Sequence, residues 1–394
     1  MNTRPVLPEP STDARAASAA LREQITGEIV AAGGWIPFSR YMELALYAPE
    51  LGYYSGGAQK FGAAGDFITA PEITPLFSRT LAMPAAWIMA HSARRILEAG
   101  AGSGLLAAEL LLELERIGKL PDEYLILDLS GELRARQAET LNARAPHLLE
   151  RIRWLDALPE RFSGLVLGNE LLDAMPVALV EWHDDDSTQT QAITERGVTL
   201  DDQGAFAWAR RPVQGALLAA AQALNIGAPC HYISEVGLAA SAWVSEWARR
   251  LDGGALLLID YGFPRAEFYH PQRSSGTLMC HYRHHAHDDP FWWPGLNDIT
   301  AHIDFTAIAE AGFDAGLDVL GYTNQARFLL NCGIAEQLDR LPNNGGKTYL
   351  GAARNVDKLI SPNEMGELFK VIALGRGLPR SLPGFTSGDR LHTL

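Results

Sequence analysis

The most constraining feature of this sequence is a run of alternating glycines, Gly100-Ala-Gly-Ser-Gly104, between two apolar segments. Residues 95–99 are predicted as a short strand, and the leucine-rich residues 105–117 as a helix. Glycines at these positions allow a tight turn and let a ligand approach the free N–H groups at the helix start. The dinucleotide fingerprint needs a further glycine at position 105, where a leucine stands, so the spacing favours S-adenosylmethionine over NAD. The alternative is that the glycines only permit the turn.

The alternation of strand and helix continues along the chain. Further strands are predicted at 124–128, 152–154, 165–168, 255–259 and 370–374, and a second helix at 133–144. Nearer the amino terminus, 16–32 is predicted as a helix, and Pro71 as part of the first turn of a helix through the eighties. This order indicates an α/β fold with a parallel sheet, which binds ligands at the carboxyl ends of its strands.

The length of 394 residues exceeds what one minimal domain needs, so insertions or a second domain are expected. Residues 179–208 alternate like a β-hairpin with a turn at 201–204, and 263–297 is irregular and rich in His, Trp and Pro. The predicted division is a flexible tail, 1–14; an N-terminal helical segment, 15–92; the first part of the core, 93–177; an inserted substrate subdomain, 178–230; more core, 231–262; a second insertion or lid, 263–315; and the C-terminal part of the core, 316–394.

The charge balance argues against partners that are bound mainly through phosphate. The net charge is −14, whereas affinity for nucleic acid comes from Lys and Arg side chains that displace counterions. Cys230, Cys280 and Cys332 lie far apart, so neither a disulfide framework nor a cysteine zinc site is indicated. No apolar run has the length of a membrane span, and the first residues lack a signal-peptide core. We therefore expect a cytoplasmic protein without membrane insertion.

Acidic residues end two neighbouring predicted strands. Asp128 ends the second strand, where its carboxylate can accept hydrogen bonds from two ribose hydroxyls. Asp156 and Ala157 follow the third strand, at a position that suits the adenine edge. Together with Gly100, Gly102 and Gly104 they define the predicted cofactor site. The alternative for Asp128 is a helix cap.

The fourth predicted strand leads into Asn169-Glu-Leu-Leu-Asp173, beside the expected position of the sulfonium methyl group. A guanidinium is always protonated in water and pairs with carboxylates, so Glu170 and Asp173 are candidates to bind and orient an arginine. Methyl transfer would then gain mostly from alignment and electrostatics. The alternative is that Asp173 caps the next helix. Enzymes that methylate a flipped base usually carry an Asn/Asp-Pro-Pro-aromatic motif at this point, which the chain lacks.

Histidines are concentrated in His281-Tyr-Arg-His-His-Ala-His287, but the spacing matches neither a helical His pair nor a zinc finger. No metal is therefore predicted, and a polar loop over the active site is favoured. The aromatic residues 291–294 beside it suit either core packing or a lid. Asp298, His302 and Asp304 are predicted to open a helix and to line the acceptor pocket, with capping as the alternative for the two acids.

Taken together, long motifs in a fixed order resemble the MidA-type S-adenosylmethionine-dependent methyltransferases. The motifs are Tyr41-Met42, Leu51-Gly-Tyr-Tyr54, Gly65-Asp-Phe-Ile-Thr-Ala-Pro-Glu72, Glu98-Ala-Gly-Ala-Gly-Ser-Gly104, Asp128-Leu-Ser130 with Gln137, Asn169-Glu-Leu-Leu-Asp-Ala-Met-Pro176, Ile259-Asp-Tyr-Gly262, Gly276-Thr-Leu278, Asp298-Ile-Thr-Ala-His-Ile-Asp-Phe305 and Met365-Gly-Glu-Leu-Phe-Lys370. Mitochondrial members of this family methylate an arginine of a respiratory complex I subunit and support assembly of the complex.

The resemblance implies a class I methyltransferase fold with a Rossmann-like core, a helical amino-terminal part and inserted α/β segments. It also implies a loop at 65–72 that closes over the cofactor. The further contacts that it implies are those of Glu98, Phe67, Thr69 and Asn169 with the cofactor, and those of Tyr53, Asp66 and Glu72 with the substrate. The family usually has Gly-Pro-Gly-Arg-Gly in the glycine run, Glu in place of Asp128, and Phe-Phe in place of Leu171-Leu172. These departures leave the carboxylates in place.

The resulting hypothesis is a bacterial cytoplasmic methyltransferase that modifies an arginine of a protein, with a complex I subunit as the substrate that the resemblance implies. A homodimer is one assembly that such a chain could form. The first alternative is a small-molecule methyltransferase on the same core, which the large insertions disfavour. The second is an assembly chaperone that keeps the cofactor fold as a binding platform, and an oxidoreductase is a distant third.

Overall fold

The computed structural model describes residues 7–56, 68–128, 130–185, 190–226, 231–342 and 347–394. The chain divides into two compact units. Unit 1 comprises the described residues of Met1–Phe67, Asp173–Ser241 and Arg265–Asp304, and unit 2 those of Ile68–Leu172, Ala242–Pro264 and Phe305–Leu394. Unit 1 therefore joins the amino-terminal helix with both predicted insertions.

The helices are α1 (Thr12–Ala31), α2 (Phe38–Tyr47), α3 (Ala70–Ile73), α4 (Pro75–Thr80), α5 (Ala82–Ala90), α6 (Leu105–Arg116), α7 (Gly131–Arg144), α8 (Gly215–Ala223), α9 (Leu238–Arg250), α10 (Arg265–Phe268), α11 (Phe305–Asp314), α12 (Gln325–Asn331), α13 (Ile334–Asp339), α14 (Lys347–Ile360) and α15 (Met365–Leu368). Short 3-10 helices lie at Pro146–Arg151 and Leu391–Thr393. The strands are β1 (Ile36–Pro37), β2 (Arg95–Ala99), β3 (Glu123–Leu127), β4 (Ile152–Leu155), β5 (Phe162–Asn169), β6 (Ala178–Asp185), β7 (Thr190–Leu200), β8 (Phe206–Pro212), β9 (His231–Val236), β10 (Leu251–Phe263), β11 (Met279–Tyr282), β12 (His285–His287), β13 (Asp298–Thr300), β14 (Ile303–Asp304), β15 (Asp318–Asn324) and β16 (Phe369–Arg376).

The sheet of unit 2 has the strand order β15-β16-β10-β5-β2-β3-β4. Neighbouring strands from β10 to β4 are parallel, while β16 runs antiparallel to both β10 and β15. The expectation of a wholly parallel sheet is therefore wrong at β16, because an apolar strand pattern carries no information about strand direction. The carboxyl ends of the parallel strands meet at one edge, which is where such sheets bind ligands.

Buried aliphatic residues explain why the central strands form. Leu256, Leu257 and Leu258 on β10 and Val166 and Leu167 on β5 are all at most 1% exposed, as expected for parallel strands covered on both faces. α6 packs against α4, α5 and α7 and contributes an almost continuous row of buried leucines and alanines to the same core. The core thus holds β2 and α6, and with them the glycine run between them, in fixed positions.

Unit 1 contains antiparallel strands in the order β1-β7-β6-β9, with β8 paired to β7, and a smaller sheet β12-β11-β13. The predicted turn between β7 and β8 is confirmed: the Asp201 carboxylate accepts the N–H groups of Gln203 and Ala205 at 2.9 and 2.8 Å. Helices α1 and α2 contribute to one hydrophobic core, and α8 contributes to a second core around Trp182 and Tyr232.

Two predicted helices differ in their limits. The first helix begins at Thr12, four residues earlier than predicted, because the Ser11 hydroxyl caps it by accepting the N–H of Ala14 at 3.2 Å. The single helix expected from Pro71 through the eighties is divided into α3, α4 and α5. The first break lies at Thr74, which is extended because the following Pro75 disfavours helical geometry in the residue before it.

Candidate active site

The glycine loop, residues 100–104, connects β2 to α6 at the carboxyl edge of the sheet in unit 2. Gly100, Gly102 and Gly104 have φ angles of 69°, 51° and 81°, a left-handed geometry that favours glycine. A Cβ atom at position 104 would lie 3.0 Å from the Cα of Gln137, so the close approach of α7 also requires a glycine. The loop therefore presents bare backbone at the start of a twelve-residue helix, a site suited to a nucleotide.

Asp128 lies directly after β3 and is 7% exposed. One carboxylate oxygen accepts the N–H of Ser130 at 3.0 Å, and the other accepts the side-chain amide of Gln137 at 2.8 Å. Each oxygen can accept a further hydrogen bond, which leaves capacity for ribose hydroxyls. The cap of α7 is Ser130, whose hydroxyl accepts the N–H of Leu133, so the capping alternative for Asp128 is wrong.

The side chain of Gln137 connects three parts of this edge. Its amide N–H groups donate to Asp128 and, at 3.2 Å, to the carbonyl of Gly102, while its oxygen accepts the indole N–H of Trp154 on β4 at 2.9 Å. Gln137 is completely buried. Gln137 therefore fixes Asp128, the residue predicted to bind the ribose, relative to the glycine loop.

Arg134, on α7, connects the carboxyl ends of β3 and β4. Its guanidinium donates to the carbonyls of Asp128 and Leu155 at 2.9 and 2.6 Å and to the Asp156 carboxylate at 2.6 Å. The Asp156 side chain is 93% exposed, and Ala157 is exposed as well. The segment predicted to meet the adenine is thus anchored to α7 through Arg134.

Glu98 lies within β2 and is 3% exposed. Its carboxylate accepts the Tyr124 hydroxyl at 2.6 Å. Burial raises the pKa of Glu98 to about 7, and the nearby charge of Asp128 acts in the same direction, whereas the bond from Tyr124 opposes the shift. The predicted cofactor contact of Glu98 stays a prediction, and the hydrogen bond from Tyr124 on the neighbouring strand accounts for its orientation.

The next feature is the 169–172 turn, which follows β5. Glu170 adopts φ 51°, a left-handed geometry that is uncommon outside glycine and typical of functional turns. Its carboxylate accepts the side-chain amide of Asn169 at 3.0 Å and the N–H of Ala70 at 3.3 Å. The side-chain oxygen of Asn169 is buried and has no hydrogen-bond donor among the described residues. An acceptor of this kind suits the amino group of a bound ligand.

The Asp260 carboxylate, on β10, accepts hydrogen bonds from the backbone of this turn. It is 1% exposed, and one of its oxygens accepts the N–H groups of Leu171 and Leu172 at 3.1 and 2.9 Å. The other oxygen accepts the N–H of Tyr261 at 2.9 Å. No role was assigned to Asp260 from the sequence, although an acid directly after the apolar run 255–259 is the same signal that identified Asp128.

The loop predicted at 65–72 is described only from Ile68 onward, so Asp66 and Phe67 lie outside the described residues. Thr69 precedes α3 as its N-cap residue. The Glu72 carboxylate accepts the N–H of Thr69 at 3.4 Å, an arrangement typical of a capping box. The roles predicted for Thr69 and Glu72 toward ligands remain predictions.

Asp173 and Tyr53 belong to unit 1, where both are buried. The backbone carbonyl of Asp173 accepts the N–H of Ala301 at 3.0 Å. The next element along the chain is the strand β6, so the interpretation of Asp173 as a helix cap is wrong. Tyr53 is 2% exposed and packs edge to face with Tyr54.

The other predicted substrate residues of unit 1 lie in strands and turns, since α11 begins only at Phe305. Asp298, on β13, accepts the Tyr54 hydroxyl at 2.8 Å. The backbone N–H of His302 donates to the Thr277 hydroxyl at 3.0 Å, and Asp304, on β14, lies 3.4 Å from the Arg265 guanidinium. The expectation that these residues open a helix is wrong for Asp298 and His302, because the segment pairs with β11 before the helix begins.

The histidine segment forms a β-hairpin in place of the predicted loop. β11 and β12 pair through a tight turn in which Arg283 and His284 have φ angles of 46° and 63°, typical of a two-residue hairpin. Nε2 of His287 donates to the side-chain oxygen of Asn297 at 3.0 Å, and burial lowers the pKa of His287. Among the described residues no cluster of His, Cys, Asp and Glu has the geometry of a metal site.

The fold and the site together define a class: an α/β protein with a glycine loop suited to a nucleotide, a buried acid directly after the next strand and a polar turn at the same sheet edge. A family model with the description "Putative S-adenosyl-L-methionine-dependent methyltransferase" matches residues 81–323. The chain belongs to this family of S-adenosylmethionine-dependent methyltransferases. The predicted family, fold class and cofactor are thereby confirmed.

Solved structures agree with this assignment. A Burkholderia thailandensis protein bound to S-adenosyl-homocysteine is 57% identical, with a TM-score of 0.94 and coverage of 98% of this chain and 100% of that one. A native structure from the same organism is 55% identical, with a TM-score of 0.91 and the same coverage.

Curated relatives are more distant. "Protein arginine methyltransferase NDUFAF7, mitochondrial" of Danio rerio is 28% identical and is aligned over 89% of this chain and 86% of its own length. The Mus musculus protein of the same name is 30% identical and is aligned over 86% of this chain and 81% of its own length.

Among the described residues, each helix is too short or too polar to cross a bilayer.

Proposed function

We propose that this methyltransferase modifies an arginine side chain of a protein. The relatives named protein arginine methyltransferases support this proposal, because they align with most of this chain. The family resemblance extends the proposal to a subunit of respiratory complex I as the substrate.

The observation that carries the proposal is the position of Glu170 on the strained turn after β5. Its carboxylate shares a turn with Asn169, whose buried oxygen lacks a donor among the described residues, at the same sheet edge as the glycine loop. A half-buried carboxylate at this edge suits a cationic acceptor, because a guanidinium keeps its charge and presents several N–H donors.

The residues of unit 2 fit the cofactor. Gly100, Gly102 and Gly104 would hold its amino-acid part and Asp128 its ribose, and the bound cofactor would supply a methyl group on a sulfonium sulfur. Glu170 would accept N–H groups of the guanidinium and thereby direct one nitrogen at that methyl carbon. When the nitrogen forms its bond to carbon, the carbon–sulfur bond breaks and the nitrogen must release a proton, for which Glu170 is the proposed first acceptor. Alignment and electrostatics would supply most of the rate gain.

Asp173 remains the second proposed catalytic carboxylate, and Tyr53, Asp298, His302 and Asp304 remain proposed substrate residues. Each is on unit 1, and the contacts described above are compatible with either packing or substrate binding. The location of the protein in a bacterial cytoplasm is likewise part of the proposal.

The substitution Glu170→Gln tests this proposal. We expect labelled S-adenosylmethionine to bind with unchanged affinity, while methyl transfer to proteins of a deletion-strain extract falls about 100-fold or more, since an electrostatic group in the transition state is lost. The matched control is Glu364→Gln, which makes the same change at an exposed position. An unchanged rate for Glu170→Gln would exclude the role, and label in a metabolite instead of methylarginine would exclude the protein substrate.

A further inference from the structure

Asp260 is a buried carboxylate that accepts hydrogen bonds from backbone N–H groups. Its carboxylate is 1% exposed, and it accepts three backbone N–H groups, those of Leu171, Leu172 and Tyr261, at 2.9 to 3.1 Å. Two of these three donors belong to the 169–172 turn. A buried carboxylate thus accepts two successive backbone N–H groups of the turn that carries Glu170.

The turn needs such an anchor because its geometry is unfavourable. Glu170 is held at φ 51°, which a non-glycine residue keeps only where its surroundings over-determine it. The same strand, β10, supplies a second contact, since the carbonyl of Ile259 accepts the N–H of Glu170 at 2.9 Å. The backbone of residues 170–172 is thus bound to β10 at each successive N–H group.

A buried lysine lies on the strand next to Asp260. In the antiparallel pair of β10 and β16, Asp260 lies directly opposite Lys370, so both side chains are on the same face of the sheet. Lys370 is also buried, at 2% exposure. A carboxylate can accept hydrogen bonds at both oxygens, and the three backbone N–H groups use both oxygens of Asp260.

We propose that Asp260 is a positioning residue for methyl transfer: it fixes the 169–172 turn in the left-handed geometry that directs the Glu170 carboxylate at the acceptor. This inference rests on the proposed function of Glu170. In this proposal Asp260 acts only through the turn and contacts neither cofactor nor acceptor. Its substitution should therefore slow transfer without weakening cofactor binding.

A double-mutant cycle of Asp260→Asn and Glu170→Gln tests this inference. The amide nitrogen that replaces one carboxylate oxygen cannot accept a hydrogen bond, so at least one backbone donor loses its partner and the turn shifts. We expect the rate of label transfer at saturating S-adenosylmethionine to fall about 100-fold, the effect of a displacement near 1 Å. Cofactor affinity should stay within about twofold. In the Glu170→Gln background the second substitution should add no more than about twofold, because both act through one group.

Two outcomes would overturn the inference and are distinguishable from failure of the proposed function. If Asp260→Asn lowers the rate by the same factor in both backgrounds, Asp260 acts independently of Glu170. If it lowers cofactor affinity and leaves the rate at saturation unchanged, its role is structural. A wild-type rate for Glu170→Gln alone would instead remove the proposed function, and with it the basis of this inference.

A measurement on the unmodified protein covers the case in which Asp260→Asn does not fold. Hydrogen exchange followed by mass spectrometry on the peptide 169–173 should show slow exchange of the amides of Leu171 and Leu172. Protection by about 100-fold or more over an unstructured peptide is expected for buried, hydrogen-bonded amides. Exchange at the unprotected rate would overturn the inference, because the turn would then not be held by Asp260.

Discussion

Each unit contains a buried carboxylate that fixes a turn through backbone N–H groups. In unit 2 this group is Asp260, and in unit 1 it is Glu235, which is 2% exposed. One Glu235 oxygen accepts the N–H groups of Thr277 and Leu278, both at 2.8 Å, and the other accepts the Thr277 hydroxyl at 3.1 Å. The two arrangements use the same chemistry, because each leaves a buried acid with several donors.

The difference lies in what each turn presents. The turn held by Asp260 carries Glu170, the proposed catalytic carboxylate, in a strained conformation. The turn held by Glu235 begins at Gly276, where a Cβ atom would lie 2.4 Å from a Glu235 oxygen. It leads to Thr277, whose hydroxyl accepts the N–H of His302. The same hydrogen-bonding arrangement thus holds a turn with a proposed catalytic carboxylate in unit 2 and a turn without one in unit 1. Changes at the turn held by Asp260 should alter the rate of methyl transfer, and changes at the turn held by Glu235 should alter stability.

The largest effect is expected for Gly104→Val. The valine Cβ would lie 3.0 Å from the Cα of Gln137 in a backbone with φ 81°, so both the glycine loop and the partner of Asp128 must shift. Cofactor affinity, measured by calorimetric titration, should fall about 100-fold or more. A valine is strained at this φ, and its side chain prevents the cofactor from approaching the backbone of the loop. The matched control is Gly118→Val at the other end of α6, where φ is 67° and no atom lies within 4 Å of the new Cβ. Equal losses of affinity in both variants would contradict the account.

The stability of the protein should depend on pH through the buried carboxyl group of Glu98. Burial raises the pKa of Glu98 to about 7 from 4.5, so the folded protein binds this proton more tightly than the unfolded chain. The stabilisation is therefore complete below about pH 4.5 and is lost as the pH rises through about 7, by about 3 kcal/mol. Urea unfolding of wild type and Glu98→Gln at pH 5 and 8 measures this, since glutamine keeps an acceptor for Tyr124 and does not titrate. Parallel pH profiles for the two proteins would show that Glu98 is not protonated in the folded state.

A smaller effect is expected for Glu235→Ala in unit 1. Two buried N–H groups lose their acceptor, which should lower the free energy of unfolding by about 2 kcal/mol. The conservative variant Glu235→Gln should retain most of the stability, because its amide oxygen can accept both N–H groups. Cofactor affinity should be unchanged in both variants, because the proposed glycine-loop and ribose contacts lie in unit 2. A loss of affinity at unchanged stability would break the distinction between the two units.

The fold of unit 2 was predictable because its signals are local. The strand, glycine loop and helix around Gly102 occupy consecutive residues, and the acids at Asp128 and Asp156 follow apolar strands that periodicity identifies. The direction of β16 was not predictable, because Phe369–Arg376 is apolar in either orientation. Unit 1 was only partly predictable, because it assembles from segments that are far apart in sequence, and no local pattern joins α1 with β7.

The candidate site follows the same rule. Glycines and strand-end acids are recognised from position, whereas the three hydrogen bonds of Gln137, to Gly102, Asp128 and Trp154, exist only in the folded chain. Asp260 was missed because its partners, Leu171 and Leu172, lie almost ninety residues earlier in the chain. The local structure around the residues proposed to line the acceptor pocket was the least predictable. Asp298 and Asp304 lie in strands and pair with Tyr54 and Arg265, respectively.

The central claim is that the Glu170 carboxylate makes this methyltransferase act on arginine in a protein. Mass spectrometry of methylated peptides tests it most directly, in a deletion strain that expresses either the wild-type protein or Glu170→Gln at equal levels. The account predicts at least one arginine that is methylated with the wild-type protein and unmodified in both the deletion strain and the Glu170→Gln strain. Identical arginine methylation in all three strains would contradict it.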